Sequence, residues 1–272
     1  MQKNYVLTDG NSIPYLGYGT FRISDGSDVL NSVLHAFQTG YRCIDTATLY
    51  GNETGIGQAV KASRLERSEV FITTKVWNSD QGYEQTLLAC RASLKRLSLR
   101  YVDLYLVHWP IAASFFDTWQ AMELLHAHGR AKSIGVSNFG IEQLESLKTK
   151  AKHLPVVNQI EFHPQLQSPE LVQYCQKNNI LVQAWAPLAR GEVQHIPEIQ
   201  SMSEQLKCSP AQLTLAWMRA RGIMPIPKSK TPARIDENYA IHSLSLSQDI
   251  VEKMNALDCG RRLGPEPSHF WA

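Results

Sequence analysis

A closed (β/α)8 barrel, a fold of the α/β class, is what this sequence predicts. Three observations point to it. Short apolar runs alternate with segments of helical spacing along nearly all of the 272 residues. Most of the runs are continuously apolar rather than alternating, as strands covered on both faces must be. No Pro/Gly/Ser-rich linker breaks the series, so residues 1–272 are expected to form one barrel domain.

The elements follow in chain order. "YVLTDGNSIPYL" reads as a β-hairpin turning at Asp9-Gly10 and placed to plug the bottom of the barrel. The eight strands are "YLGYGT" (15–20), "YRCIDT" (41–46), "VFITTKVW" (70–77), "VDLYLVHW" (102–109), "AKSIGVSN" (131–138), "VVNQIEF" (156–162), "ILVQAWAP" (180–187) and "GIMPIP" (222–227). They start about 24–32 residues apart until the last gap, which is longer and has room for an extra helix. Between them, "SDVLNSVLHAFQTG" sets Val29, Val33, Ala36 and Phe37 on one side and stops at Gly40. "YEQTLLACRASLKRL" is expected to bury Leu87, Leu88, Leu94 and Leu97, with Arg91 as the odd polar member. "SPAQLTLAWMRARG" opens on a Ser-Pro start and closes on glycine. The rival open, doubly wound sheet needs a Gly-x-Gly-x-x-Gly turn, and the chain has none.

Bulk composition narrows the function. Lys and Arg number 27 against 25 Asp and Glu, which leaves neither a nucleic-acid footprint nor a polybasic membrane patch. The five cysteines are scattered and never form a Cys-x-x-Cys pair, so they read as reduced thiols. The first residues, "MQKNYVLTDGN", lack an apolar signal core, and no stretch approaches the ~20 apolar residues of a membrane span. A cytoplasmic protein is the expectation. No metal site is expected either: there is no His-Glu-x-x-His, and His126 and His128 diverge on a helix.

In a barrel the reacting groups project from the C-terminal ends of strands. Here the second strand ends in Asp45, with Tyr50 in the loop behind it; the third ends in Lys75 and the fourth in His108. The set makes chemical sense as a proton donor. A free phenol has a pKa near ~10, too high for easy proton transfer at neutral pH. An ammonium at ~4 Å and effective dielectric ~20 offers up to about 4 kcal/mol, and Asp45 cancels part of it. A net depression of the Tyr50 pKa by about one or two is therefore expected. His108 would hydrogen-bond a carbonyl and fix its orientation. Each residue alone also has a plain structural role: a buried Asp45–Lys75 ion pair, a satisfied core histidine, a packing tyrosine with a wet hydroxyl.

The stretches "GYRCIDTATLYGNE", "ITTKVW", "VDLYLVHWP", "IGVSNF", "NQIEFHP" and "IPKSKTPARIDEN" resemble the aldo-keto reductases, in that family's order, from about Ile13 to Pro267. Among members, the chain is most similar to short-loop bacterial reductases of the 2,5-diketo-D-gluconate type. The resemblance implies a catalytic tetrad of Asp45, Tyr50, Lys75 and His108, with Tyr50 as proton donor. It also implies NADPH lying extended across the barrel mouth. Ser137, Asn138 and Gln159 would hold the nicotinamide carboxamide, and Trp185 would stack on its ring. Gly19, Thr20, Pro187 and Leu188 would line the ribose and pyrophosphate path. Lys228, Ser229 and Arg234 would grip the 2′-phosphate, and Glu237 and Asn238 the adenine. A planar guanidinium beside an ammonium suits a phosphate, and adjacent Ser, Asn and Gln suit an amide.

Local alternatives exist for several of these. Ser137–Asn138 also reads as a helix N-cap before "IEQLESLK", and Asn52 reads best as such a cap. Lys228 and Arg234 alone would be solvated charges. Many relatives carry Tyr-Ser-Pro-Leu where this chain has Trp185-Ala186-Pro187-Leu188, so a hydroxyl near the cofactor is gone. The segments "IAASFFDTW", "ARGEVQHIP" and "GRRLGPEPSHFWA" are short, which predicts an open pocket lined by Phe21, Trp77 and Trp109, with Phe115 and Trp271 as further candidates.

The expected activity is NADPH-dependent reduction of small aldehydes and ketones, including keto sugars such as 2,5-diketo-D-gluconate or methylglyoxal. Monomeric state and a small-molecule carbonyl as the sole partner go with it. Two other classes stay open: a lyase with Lys75 as Schiff-base nucleophile, and a non-catalytic cofactor-sensing or structural barrel. A short-chain reductase needs lysine four residues after tyrosine, which occurs nowhere.

Overall fold

In the computed structural model, which describes residues 4–270, Gly10 adopts a left-handed φ of 84° and turns the chain back on itself. Strand β1 (Asn4–Val6) thereby pairs antiparallel with β2 (Ser12–Pro14), with Tyr5 opposite Ile13. The hairpin's inner face, Leu7 and Ile13 with Tyr5 beside them, packs on Cys43, Phe71, Leu104 and Met224. Cys43 and Phe71 open their strands, so the hairpin closes the barrel at the N-terminal end, as expected. Val6, on its outer face, is 72% exposed.

Eight parallel strands then follow: β3 (Tyr18–Gly19), β4 (Cys43–Asp45), β5 (Phe71–Val76), β6 (Val102–Val107), β7 (Ala131–Ser137), β8 (Val157–Glu161), β9 (Leu181–Trp185) and β10 (Met224–Pro225). Each pairs with its neighbour in chain order, for example Lys75 opposite Leu106 and Glu161 opposite Trp185. The first and last strands meet as well. Gly17 N–H donates to Pro225 O and Gly19 N–H to Pro227 O, both at 3.0 Å, and Gly19 bridges to Lys228. A Cβ on Gly19 would lie 3.2 Å from Ile226 O, so the seam is close enough to need glycine there. With the seam joined, the eight-stranded sheet closes on itself.

Helices cover the outside: α1 (Ser27–Thr39), α2 (Glu53–Ala62), α3 (Tyr83–Leu97), α4 (Phe115–Ala127), α5 (Ile141–Lys148) and α6 (Pro169–Lys177). The long gap before β10 holds two helices, α7 (Pro197–Leu206) and α8 (Pro210–Ala220), and α9 (Pro232–Tyr239) and α10 (Gln248–Asn255) follow it. Ser209 caps α8 as its Ser-Pro start predicts, its hydroxyl accepting Gln212 N–H at 3.2 Å. Helix α3 departs from expectation. It buries Thr86, Ala89, Cys90, Ser93 and Leu97, while Leu88 is 60% exposed. Small side chains let that helix approach its neighbours closely, and Leu87 and Leu94 only flank the contact. Among the described residues no helix is long and apolar enough to cross a membrane.

Candidate active site

The stretch after β4 explains why an acid and a phenol share one strand end. Asp45 closes the strand, Thr48–Tyr50 form one 3-10 turn, and Gly51 at φ 65° reverses the chain into α2. That turn brings Tyr50 back over Asp45 and against β5. Lys75, with no exposed surface, donates to Asp45 Oδ1 at 2.7 Å, to Thr46 O at 2.9 Å and to the Tyr50 hydroxyl at 3.4 Å. Its three donors are thus all engaged. Asp45 keeps the lysine charged: burial opposes the ammonium, yet the carboxylate and the phenol hold its pKa above the ordinary value.

Tyr50 is where expectation and structure part. Burial is the largest influence on its hydroxyl and raises the pKa; Lys75 pulls it down, Asp45 raises it again, and the net direction is upward. The predicted depression fails because the low-polarity setting that strengthens the ammonium's field also penalises the phenolate.

His108 follows β6, with its ring edge-on to Trp77 at 5.1 Å and to Tyr50 at 5.8 Å. Its Nδ1 is buried with no hydrogen-bond partner among the described residues, and burial together with the Lys75 charge holds its pKa well below the usual imidazole value. The ring is therefore a neutral hydrogen-bonding group beside the phenol. All four predicted residues meet at one point.

The other strand ends form the adjoining wall. Asn138, in the left-handed region at φ 63°, donates to His108 O and Ser137 Oγ at 3.0 Å and accepts the Trp185 indole N–H at 2.8 Å. Ser137 Oγ donates to Gln159 O at 2.7 Å. Neither residue caps α5, whose N-cap is Gly140. The Gln159 amide donates to Asp45 Oδ2 at 2.8 Å and to Gln183 Oε1 at 3.0 Å, contacts the sequence does not predict. Gln183 in turn donates to Met224 Sδ at 3.3 Å, so a polar chain crosses the barrel interior behind the tetrad.

Thr20 does not reach the surface: it is wholly buried, with its hydroxyl on Asp45 O at 2.9 Å. Asn52 is likewise buried and makes no cap bond. It donates to Thr20 O and Ile23 O at 2.9 and 3.0 Å and accepts from Thr46 at 2.7 Å, tying three segments together. Gly19 lies at the seam beside Lys228, while Pro187 is buried and Leu188 half-buried in the loop after β9.

Around the seam sits a basic rim. Lys228 and Arg234 are exposed, and among the described residues no carboxylate pairs with either; Lys230 pairs with Asp28 at 3.6 Å. The Lys228 ammonium is pushed below its ordinary value by partial burial, then by Lys230 and Arg22. A lysine held down by neighbouring cations is what a phosphate group relieves, so the rim fits the dinucleotide phosphate that the resemblance implies. Ser229 and Asn238 are buried beside it, and Glu237 is half-buried. Arg22 escaped the sequence because its loop gives no spacing signal toward Lys228.

On the open side Phe21 and Leu49 are each 46% exposed, and Phe21 lies 5.0 Å from the Tyr50 ring. Trp109 stacks beside His108 and is covered by Phe270 at 4.5 Å, a contact the sequence does not announce. Phe115 is buried against Phe116 and Phe139. Trp271 lies outside the described residues.

Residues 15–258 match the aldo/keto reductase family model. The chain is 44% identical over 270 residues to the glyoxal reductase of Bacillus subtilis, covering 99% of this chain and 98% of that one. It is 42% identical over 268 residues to the methylglyoxal reductase DkgA of Salmonella typhimurium, covering 97% and 96%. A solved structure of a Gox0644 mutant in complex with NADPH superposes with a TM-score of 0.93 at 36% identity, covering 98% of both chains.

Proposed function

The chain belongs to the aldo/keto reductase family as an NADPH-dependent oxidoreductase, and from that premise we propose that it reduces small oxo-aldehydes and ketones with Tyr50 as proton donor. The observation that carries the assignment is the Lys75 ammonium, 2.7 Å from Asp45 and 3.4 Å from the Tyr50 hydroxyl. NADPH, when bound, supplies the hydride that the carbonyl carbon accepts. Tyr50 gives its proton to the carbonyl oxygen, and Lys75 stabilises the phenolate until solvent returns the proton. Neutral His108 donates to the same oxygen and orients it. Trp185, Ser137, Asn138 and Gln159 hold the nicotinamide end, and Lys228, Ser229 and Arg234 the 2′-phosphate end, with Glu237 and Asn238 at the adenine. A lysine committed to Asp45 and held as ammonium is a poor Schiff-base nucleophile, which disfavours the lyase reading.

The relatives named for glyoxal and methylglyoxal support short oxo-aldehydes as substrates, and the exposed aromatic lip at Phe21 leaves room for keto sugars such as 2,5-diketo-D-gluconate. We take the working form to be a cytoplasmic monomer, which elution as a single chain on gel filtration would support. The deciding experiment follows NADPH oxidation with glyoxal, methylglyoxal, keto sugars and aromatic aldehydes, using the wild type and Tyr50→Phe. The variant should bind NADPH yet lose about 10²–10⁴-fold in turnover. Unchanged turnover refutes the assignment of Tyr50.

A further inference from the structure

Glu161 is a charged residue that neither the tetrad nor the sheet requires. It ends β8, is 2% exposed, and stands opposite Trp185 in the strand register. A carboxylate removed from water costs several kcal/mol unless its oxygens are satisfied. Its partners come from about a hundred residues further along the chain. Leu263 N–H donates to Oε1 at 2.7 Å, and Gly264 N–H reaches both oxygens at 3.2 and 3.1 Å. Arg262 approaches Oε2 at 3.3 Å, and the fully buried His163 lies 3.4 Å from Oε1. The carboxylate is a dock for the segment after α10.

What the dock holds in place is Gly264. A Cβ built there would fall 2.4 Å from Cη2 and 3.2 Å from Cζ3 of Trp185, so its backbone abuts the benzo edge of the indole. At the opposite edge the indole N–H donates to Asn138 at 2.8 Å. The ring is gripped at both ends, by an amide on one side and by a docked peptide on the other. The same segment runs on to Phe270, 4.5 Å from Trp109.

We infer that Glu161 is a positioning residue for the indole of Trp185, acting through the Leu263–Gly264 peptide. The inference rests on the reading of Trp185 as the ring that faces the nicotinamide. A stacking surface fixed before the cofactor arrives needs no ordering when it binds, so the dock sets cofactor affinity rather than the proton-transfer step. Glu161→Gln keeps the volume but offers one accepting oxygen, turns an N–H₂ toward a backbone N–H, and leaves Arg262 with Glu266 as its one carboxylate partner among the described residues. Gly264→Ala keeps the Glu161 side chain but drives a methyl into the ring, where it also comes 3.1 Å from Glu161 Oε2.

The test is a double-mutant cycle on NADPH dissociation constants, measured by fluorescence titration, with backbone amide exchange of the 259–270 segment in the cofactor-free protein. Glu161→Gln and Gly264→Ala should each weaken NADPH about tenfold, and Glu161→Gln should speed exchange at Leu263 and Gly264. Glu161→Gln added to Trp185→Ala should weaken binding no further than Trp185→Ala alone, since one acts through the other. Weakening by Trp185→Ala with none by Glu161→Gln overturns the inference and leaves the cofactor reading standing. Fully additive effects overturn it too. Unaltered binding in Trp185→Ala sinks the reading of Trp185 and this inference with it. Should Glu161→Gln not fold, Gly264→Ala carries the same comparison.

Discussion

Lys75 and Asp45 form an ion pair 2.7 Å long, with 0% and 6% of their side chains exposed. Removing one partner strands the other's charge in the barrel, which is costlier than losing the attraction itself. Lys75→Met should therefore lower unfolding stability by about 3–5 kcal/mol in urea melts. Asp45→Asn combined with Lys75→Met should recover part of that loss while restoring no carbonyl reduction. Equal stability of the single and double variants would show that the pair is not the reason for the loss.

The pH dependence follows from the two shifted groups beside this pair. Tyr50 sits above the ordinary phenol value and His108 well below the ordinary imidazole value. Reduction should then run without a histidine break through neutrality and fall only on the alkaline side, above the ordinary phenol range, as Tyr50 loses its proton. Stability carries the opposite limb. An unfolded His108 takes up a proton below about pH 6.5, while the folded one stays neutral, so folding weakens as pH falls through that value. His108→Asn should flatten the stability curve between about pH 6.5 and 5, and an unchanged slope contradicts the assigned cause.

Asp45, Lys75 and His108 are legible because strand spacing in a barrel is regular and each stands at a strand end, and Tyr50 because it lies in the turn just behind Asp45. Lys228 and Arg234 are singled out only through the likeness of their stretch to the aldo-keto reductases, since neither has a spacing signal of its own. The direction of the Tyr50 shift is not legible, because it turns on how much burial competes with a nearby charge, and spacing carries no measure of burial. Leu88 was misplaced because a helix face is chosen by its neighbours as well as by its own period. Glu161 and Asn52 escaped for a common reason: the partners that fix them lie far away in sequence, at 262–264 for one and at Thr20 and Ile23 for the other.

Asn52 supplies a third prediction. Its amide satisfies Thr20 O, Ile23 O and the Thr46 hydroxyl, and Thr46 O in turn accepts Lys75. Asn52→Ala leaves those buried groups unpaired and should cost about 2–4 kcal/mol in urea denaturation. A helix cap alone would cost nearer ~1 kcal/mol, so the size of the loss separates the two roles. Asn52→Asp, which keeps the acceptor and loses both donors, should fall no closer to wild type than the alanine variant.

The basic rim should separate the two nicotinamide cofactors. Arg234 is exposed and pairs with no carboxylate among the described residues, so its guanidinium is available to a 2′-phosphate. Charge-assisted hydrogen bonds of about 1.5–3 kcal/mol make Arg234→Ala cost roughly 10–150-fold in NADPH affinity, with NADH nearly unaffected. Lys228 adds a dependence on pH that NADH should not share. Its ammonium is depressed by partial burial and by Lys230 and Arg22, and a bound phosphate would restore its proton. NADPH affinity should therefore fall as pH rises through the depressed lysine value, and fall less in Lys228→Met. Equal losses for both cofactors in Arg234→Ala would place the rim outside the 2′-phosphate site, and its crowded cations would then need another anion to explain them.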